Sequence, residues 1–453
     1  MDVSLELARH ALGLRWEDLS ASSRRAAKTF LHDTLAVGMA GRNAPFAEQI
    51  LSAAAGWCGD GGTCRVLGRD MRLHPADAAF VNAFQIHAQE YDCVHEAAVV
   101  HPLATVAAAL LATADRGEAV SGADFLAALV AGVDVAAGLG LAATTPLRFF
   151  RPATAGVFGS VAAIARLRGL GLETSRDALG YALAFAAGTM QAHLEGLPTL
   201  PVQIAQAAKA AVQAVDLACA GLPGPRGSIE GPFGYLTMFE EGFDGGRLRR
   251  SLVDGHRIEE ISWKPFPTGR AAHGAIVATQ RLAGQGIGAA DIERLVYRAP
   301  SLIARLVGRE ARPGMTPAYA RLCFPWLGAV VLTRGSVGLG DFDEAARSDV
   351  SLLELASRIS VEVDDNPDPA AFTPAVAIAT LRDGTVVEQH IDAQLGSPQH
   401  PLSQEQHLEK ARACMAFAGA AHQHEELTAL IDDLERQADI SEALNGVLRP
   451  PTR

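Results

Sequence analysis

Alanine-rich amphipathic stretches follow one another over the first 260 residues, and a chain of that texture folds into closely packed helices. They cover Val3–Leu14, Ser22–Met39, Pro75–His87, Pro102–Arg116, Gly122–Leu141, Gly156–Leu167 and Ala205–Ala220. Apolar residues recur in them at three- and four-residue intervals. Ser22-Ser-Arg-Arg, Pro75-Ala-Asp and Ser175-Arg-Asp read as helix starts. Gly59-Asp-Gly-Gly62 and Gly221-Leu-Pro-Gly-Pro225 read as breaks. Gly138 and Gly140, in AAGLGLAA, read as points of close helix packing.

The texture changes near Trp263. Arg294–Arg298, Ile359–Asp364 and Val376–Leu381 are β-branched or alternate apolar and polar. Asp383-Gly384 between Ala377–Arg382 and Thr385–Asp392 predicts a hairpin. Helical pattern fills Ala290–Glu293, Ala318–Leu332 and Leu352–Arg358. It returns over Ser403–Leu448, chiefly as Lys410–Ala420 and Glu425–Ala438. The expected fold is mostly α with an α+β second domain: residues 1–262 and 401–453 form the helical part, and 263–400 an inserted α+β unit.

Charge and composition exclude several function classes. The net charge of −12 disfavours nucleic acid and anionic membrane surfaces, which need a basic face. No uninterrupted apolar run approaches the roughly 20 residues of a membrane span. Glu6, Arg9, Arg15 and Glu17 make the N-terminus unlike a signal peptide, so a cytoplasmic location is expected. The six cysteines are scattered without a CxxC, as reduced packing residues would be. Phosphate-binding glycine loops, GxSxG and HExxH are all missing.

Three segments carry candidate chemistry. The first, NAFQIHAQEYDCVHEAAVVHP, holds His87, His95 and His101 together with Glu90, Asp92 and Glu96. A helix ends near Glu90 and another begins at His101-Pro102, which puts His101 beside free backbone N–H groups. A loop of this kind can pair a carboxylate with an imidazole for proton transfer. The same residues suit a solvated polar loop, or a metal, although their spacing matches no standard ligand motif. The second segment, ISWKPFPTGRAAHGAI, presents Lys264, Arg270 and His273 on a proline-bounded turn at the junction of the two units, where pockets tend to form. In a chain with only four lysines, Lys264 there is either a base or a clamp for a carboxylate, or simply an exposed loop lysine. In the third, LRFFRPATAG, Arg148 and Arg151 precede a helix near Pro152 and could grip a carboxylate bidentately.

With these motifs the sequence resembles the MmgE/PrpD family, whose members include 2-methylcitrate dehydratase, cis-aconitate decarboxylase and iminodisuccinate epimerase. Four landmarks carry the resemblance: HDTLAVGMAG from His32, the His87–His101 loop with its closing His-Pro, GTMQAHLEG from Gly188, and WKPFPTGRAAH from Trp263. The resemblance implies a helical domain with an α+β lid, a homodimer, no metal and no organic cofactor. It also implies a small carboxylate substrate that loses a proton next to a carboxylate, followed by loss of water, loss of carbon dioxide, or reprotonation. Asp92, His101, Lys264 and His273 match its catalytic set, and Glu90 matches as a carboxylate. The base is then Lys264 or His101, with Asp92 orienting or shuttling the proton. Glu90, Arg151, Arg270, Gln203 and Trp326 fall at substrate-binding positions.

The departures from the family pattern are specific. Cys93 stands where the family has a second aspartate, Val94 where it has a hydroxyl residue, and Arg151 where it has a histidine. Trp326 stands where it has a tyrosine. The family's basic loop K-R-x-H-x-G-R is matched by Leu200-Pro-Val-Gln203-Ile-Ala-Gln206. That exchange strips positive charge from the pocket and favours a substrate with fewer carboxylates or a more apolar one. A lyase is the first expectation and an epimerase or isomerase the second. An inactive carboxylate-binding protein is the third.

Overall fold

A computed structural model describes residues 2–368 and 371–450. Its buried apolar side chains form two cores. One joins the helices before Ile261 to the tail between Ala411 and Leu448, and the other lies within Phe266 to Ile391. The molecule is mostly α with an α+β part, as its texture implies.

In the helical core, Gly122–Ala142 packs on Gly156–Leu167 and Pro102–Ala114, while Thr199–Cys219 packs on Pro75–His87. By length and composition Gly122–Ala142 could cross a membrane, its most apolar window having a mean hydropathy of 2.0. Asp124 and Asp134 interrupt the stretch, so it is not an uninterrupted apolar run. The window is 94% buried by other parts of the protein. Its Asp134 accepts hydrogen bonds from His10 Nε2 (2.9 Å), His256 Nδ1 (2.7 Å) and the Arg257 backbone N–H (2.7 Å). A buried carboxylate satisfied by protein partners belongs to a core helix.

Both predicted close-packing glycines are in tight contact. A Cβ on Gly140 would stand 2.5 Å from the Ala98 carbonyl oxygen, and one on Gly138 would stand 2.8 Å from Ser251 Oγ. Gly140→Ala therefore has to displace the backbone that follows His95. Overpacking of this kind typically costs about 1–3 kcal/mol. Urea denaturation of Gly140→Ala is expected to show such a loss, and an unchanged midpoint would mean the loop yields freely.

The α+β part is a four-stranded sheet in the order Ile359–Val363, Ile292–Ala299, Ala375–Leu381, Val386–Ile391. The first pair is parallel and the other two are antiparallel. The Asp383-Gly384 hairpin is present, with Gly384 at φ 87°, a conformation glycine adopts without strain. Helices His273–Gly284 and Phe324–Arg334 pack together beside the sheet. The tail helix Gln404–Phe417 then returns along Ala21–Gly41, where Lys410 pairs with Asp33 at 2.7 Å.

Several local expectations change. The Ala290–Glu293 pattern enters the strand Ile292–Ala299 rather than a helix, because sheet pairing outweighs a four-residue propensity. A two-residue antiparallel ladder, Cys64–Arg65 with Arg72–Leu73, interrupts the helical half. The helix with Ser175 begins three residues earlier, at Leu172. Ser20, rather than Ser22 or Ser23, caps the second long helix by accepting from Ser23 N–H. The Glu425–Ala438 stretch splits into His424–Asp432 and a short turn. The segment matched to the family's basic loop is helical from Thr199 onward.

Candidate active site

The site is built where the loop between Pro75–His87 and Pro102–Ala114 meets the turn that leads into the α+β part. Proline at the first position of the second helix fixes its start and leaves His101 as N-cap. Two residues in this loop take positive φ, Glu90 at 49° and Val99 at 52°. Both are strained for side-chain-bearing residues, Val99 the more so because it is β-branched. The Val94 and Ser262 backbones exchange hydrogen bonds of 3.0 and 2.8 Å. That bridge holds the Trp263-Lys264 turn against the loop.

Asp92 is the hub. Its fully buried carboxylate accepts from His87 Nδ1 at 3.0 Å and from His101 Nδ1 at 2.9 Å. Lys264 Nζ stands 3.9 Å from Asp92 and donates to Glu90 Oε2 at 2.7 Å. Burial by itself would raise the Asp92 carboxyl, but the two imidazoles and Lys264 outweigh it and hold it well below the carboxylate range. Glu90 behaves alike: burial opposes ionisation, Lys264 leads the opposite pull, and the net position is about 2.

The two imidazoles are edge-to-face at 4.9 Å between centroids, yet their acidities diverge. At His101 burial dominates and takes the pKa below 6.5. At His87 burial also pulls down, but the charge and hydrogen bond of Asp92, helped by Glu90, carry it above 6.5. Since each Nδ1–H is tied to Asp92, each ring has Nε2 left for chemistry. His87 Nε2 is buried with no hydrogen-bond partner and lies 3.8 Å from Glu90 Oε1. His87 is the functional residue that sequence reasoning placed in the loop without giving it a role. Its position at a helix C-terminus, five residues before Asp92, was the available signal.

A cavity of about 70 Å³ lies against this group, lined by His87, Glu90, His101 and Arg270 together with Val94, Phe150 and Leu200. Lys264 is not among its wall residues. Arg270 meets Glu96 at 2.8 Å and donates to the Leu395 carbonyl at 2.7 Å, tying the turn to the loop. His273 does not reach the cavity wall. It accepts from Arg270 at Nδ1 and donates from Nε2 to the Thr268 carbonyl, both at 3.3 Å. Burial keeps it neutral, well below 6.5.

Other expected site residues lie elsewhere. Arg151 is buried in a bidentate pair with Glu240 at 2.8 and 2.9 Å, so its charge is already matched. Arg148 pairs with Glu241 at the surface. Gln203 accepts from the Thr189 N–H. Trp326 is fully buried in the α+β core against Phe342. His95 bonds Glu260 at 2.8 Å, away from Asp92. Cys93 is buried too, with its thiol pushed well up by burial.

Among the described residues, two groups have ligand atoms close enough to hold a metal ion, each within 4.8 Å: His87, Asp92 and His101, and His10, Asp134 and His256. The first group coincides with the site. Its Asp92 oxygens are engaged by both Nδ1 atoms, an arrangement that orients imidazoles for proton transfer.

Known proteins are similar along the whole chain. Residues 5–247 match the MmgE/PrpD N-terminal domain, and residues 266–436 match the MmgE/PrpD C-terminal domain. The cis-aconitate decarboxylase-like protein oryM of Aspergillus oryzae is 28% identical, over 98% of this chain and 96% of its own. Mus musculus cis-aconitate decarboxylase is 28% identical over 97% and 92%. That of Aspergillus terreus is 25% identical over 99% and 97%.

Proposed function

This chain belongs to the MmgE/PrpD family, and on that premise we propose that it is a lyase that moves a proton next to a carboxylate of a small substrate, with loss of carbon dioxide as the leading outcome. One observation carries the reading: two imidazoles that line one cavity share the Asp92 carboxylate, and their pKa values are driven in opposite directions. Such divergence supplies an acid and a base at the same pH. The relatives named as decarboxylases favour loss of carbon dioxide over loss of water.

His101 is the base in this reading, because it is neutral and lines the cavity, while Lys264 is committed to Glu90. His87 is the acid. In decarboxylation the bond to the departing carboxylate breaks, and its electron pair moves into an adjoining unsaturated system. His87 then protonates the carbon that receives the pair. In dehydration His101 takes the α-proton, and His87 protonates the departing hydroxide. Arg270 on the wall stabilises the enolate-like charge that develops in either case. Epimerisation needs carriers on opposite faces of one carbon, and two rings hung from a single carboxylate favour it less.

The test is proton NMR in D2O with small di- and tricarboxylates, with carbon dioxide release followed in parallel. A new product with a solvent-derived deuteron and stoichiometric carbon dioxide supports decarboxylation, and an alkene without it supports dehydration. Exchange at an α-carbon without net conversion would transfer the assignment to epimerase. Binding without any of these would leave a binding protein. The pH profile follows from the two shifts. Rate is expected to rise as pH passes the His101 pKa, below 6.5, and to fall as it passes that of His87, above 6.5. A profile with a single ionisation would remove one histidine from the pair.

A further inference from the structure

We infer that the substrate carries an apolar substituent, which leaves the proton-transfer cavity past Leu200 and lies in a second apolar cleft; this rests on the lyase reading above. The 70 Å³ cavity has room for a handful of water-sized groups, so it accommodates the reacting carboxylate framework and little more. A second cavity of about 30 Å³ adjoins it, and His87, Glu90 and Leu200 line both. Beyond these shared residues its wall includes Phe46, Phe84, Pro198, Pro201 and Pro317. Phe46 is 44% exposed, so the cleft reaches the surface there.

The charged groups facing the second cavity are already engaged. Glu90 holds Lys264. Arg321 lies over the Phe342 ring and donates to the carbonyls of Gln89 and Pro267 and to the Gln89 side-chain oxygen. Leu200 at the junction and Pro201 beyond it offer no counter-charge. Beyond His87 at its inner end, a further substrate carboxylate placed here would be desolvated with no uncommitted cation beside it. Methylene groups would gain from leaving water, at about 0.8 kcal/mol each, or nearly fourfold in affinity.

The experiment is calorimetric titration and turnover of the whole protein with cis-aconitate and its alkyl-substituted homologues, methyl to butyl. The first added methylenes are each expected to tighten binding about fourfold, with the gain levelling off once the 30 Å³ cavity is filled. Leu200→Lys is expected to abolish the increment. Phe46→Ala, at a 44% exposed position, is expected to weaken only the longest homologues. Affinity that is flat or falls with chain length overturns the inference, even if cis-aconitate itself turns over and the lyase reading stands. Affinity that climbs with chain length while no member reacts keeps the apolar cleft and removes the lyase reading. No binding by any member overturns both.

Discussion

Asp92→Asn is expected to lower kcat by about 10³–10⁴-fold with little change in the fold. The substitution preserves shape and removes the charge that two imidazoles and Lys264 face at once. Both rings reach one oxygen, Oδ2, and an amide oxygen there can still accept from His101, but its NH2 group then stands where Oδ1 lies 3.1 Å from His87 Nδ1. That ring must turn over or change tautomer, and its Nε2 no longer faces the substrate as before. His87 also loses the main influence holding its pKa up, so the acid is discharged near neutral pH. Asp92 contributes no wall atom to the 70 Å³ cavity, so KM is expected to move far less than kcat. Steady-state kinetics with circular dichroism checks this. Turnover near that of the native protein would show that the shared carboxylate is structural only.

Lys264→Met is expected to destabilise the protein by about 3–5 kcal/mol at neutral pH, because removing one partner of a buried pair strands the other charge. The stranded group is Glu90, whose pKa Lys264 helps hold at about 2 against a usual 4.5. A depressed carboxyl contributes stability that is fully present above pH 4.5 and lost as pH falls towards 2. The gap between native and variant protein should therefore be widest near neutrality and shrink as pH falls, because the stranded, buried Glu90 takes up a proton at a higher pH than the paired one. Lys264→Met combined with Glu90→Gln should recover much of the loss. Urea unfolding of the native protein, both single variants and the double variant gives the cycle. Additive losses would mean that Lys264 and Glu90 are not coupled. Proton exchange surviving in the double variant would also separate Lys264 from the role of base, leaving that role to His101.

Much of the architecture was legible in the residues because it rests on local periodicity. Alanine-rich repeats of helical spacing define the first half, and period-two segments with Asp383-Gly384 define the sheet. The errors fall where a short segment had no strong preference of its own. Ala290–Glu293 became strand because its neighbours pair at Ile359–Val363 and Ala375–Leu381. Gly122–Ala142 is helical as its pattern implies, and Asp134 is tolerated in it because three donors from distant segments reach it.

The sequence by itself determined that Glu90, Asp92 and His101 share one loop and that Lys264, Arg270 and His273 share one turn, since short spacings and prolines fix both. Only the tertiary structure decided how each was used. It joined Lys264 to Glu90 across 174 residues and gave His87 the second bond to Asp92. It also closed Arg151 onto Glu240 and put Trp326 in the α+β core. The physical reason is that charge pairing and burial depend on three-dimensional neighbours. A residue's type reveals what it can ionise, whereas its partner and its distance from water set whether it is an acid, a base or a brace.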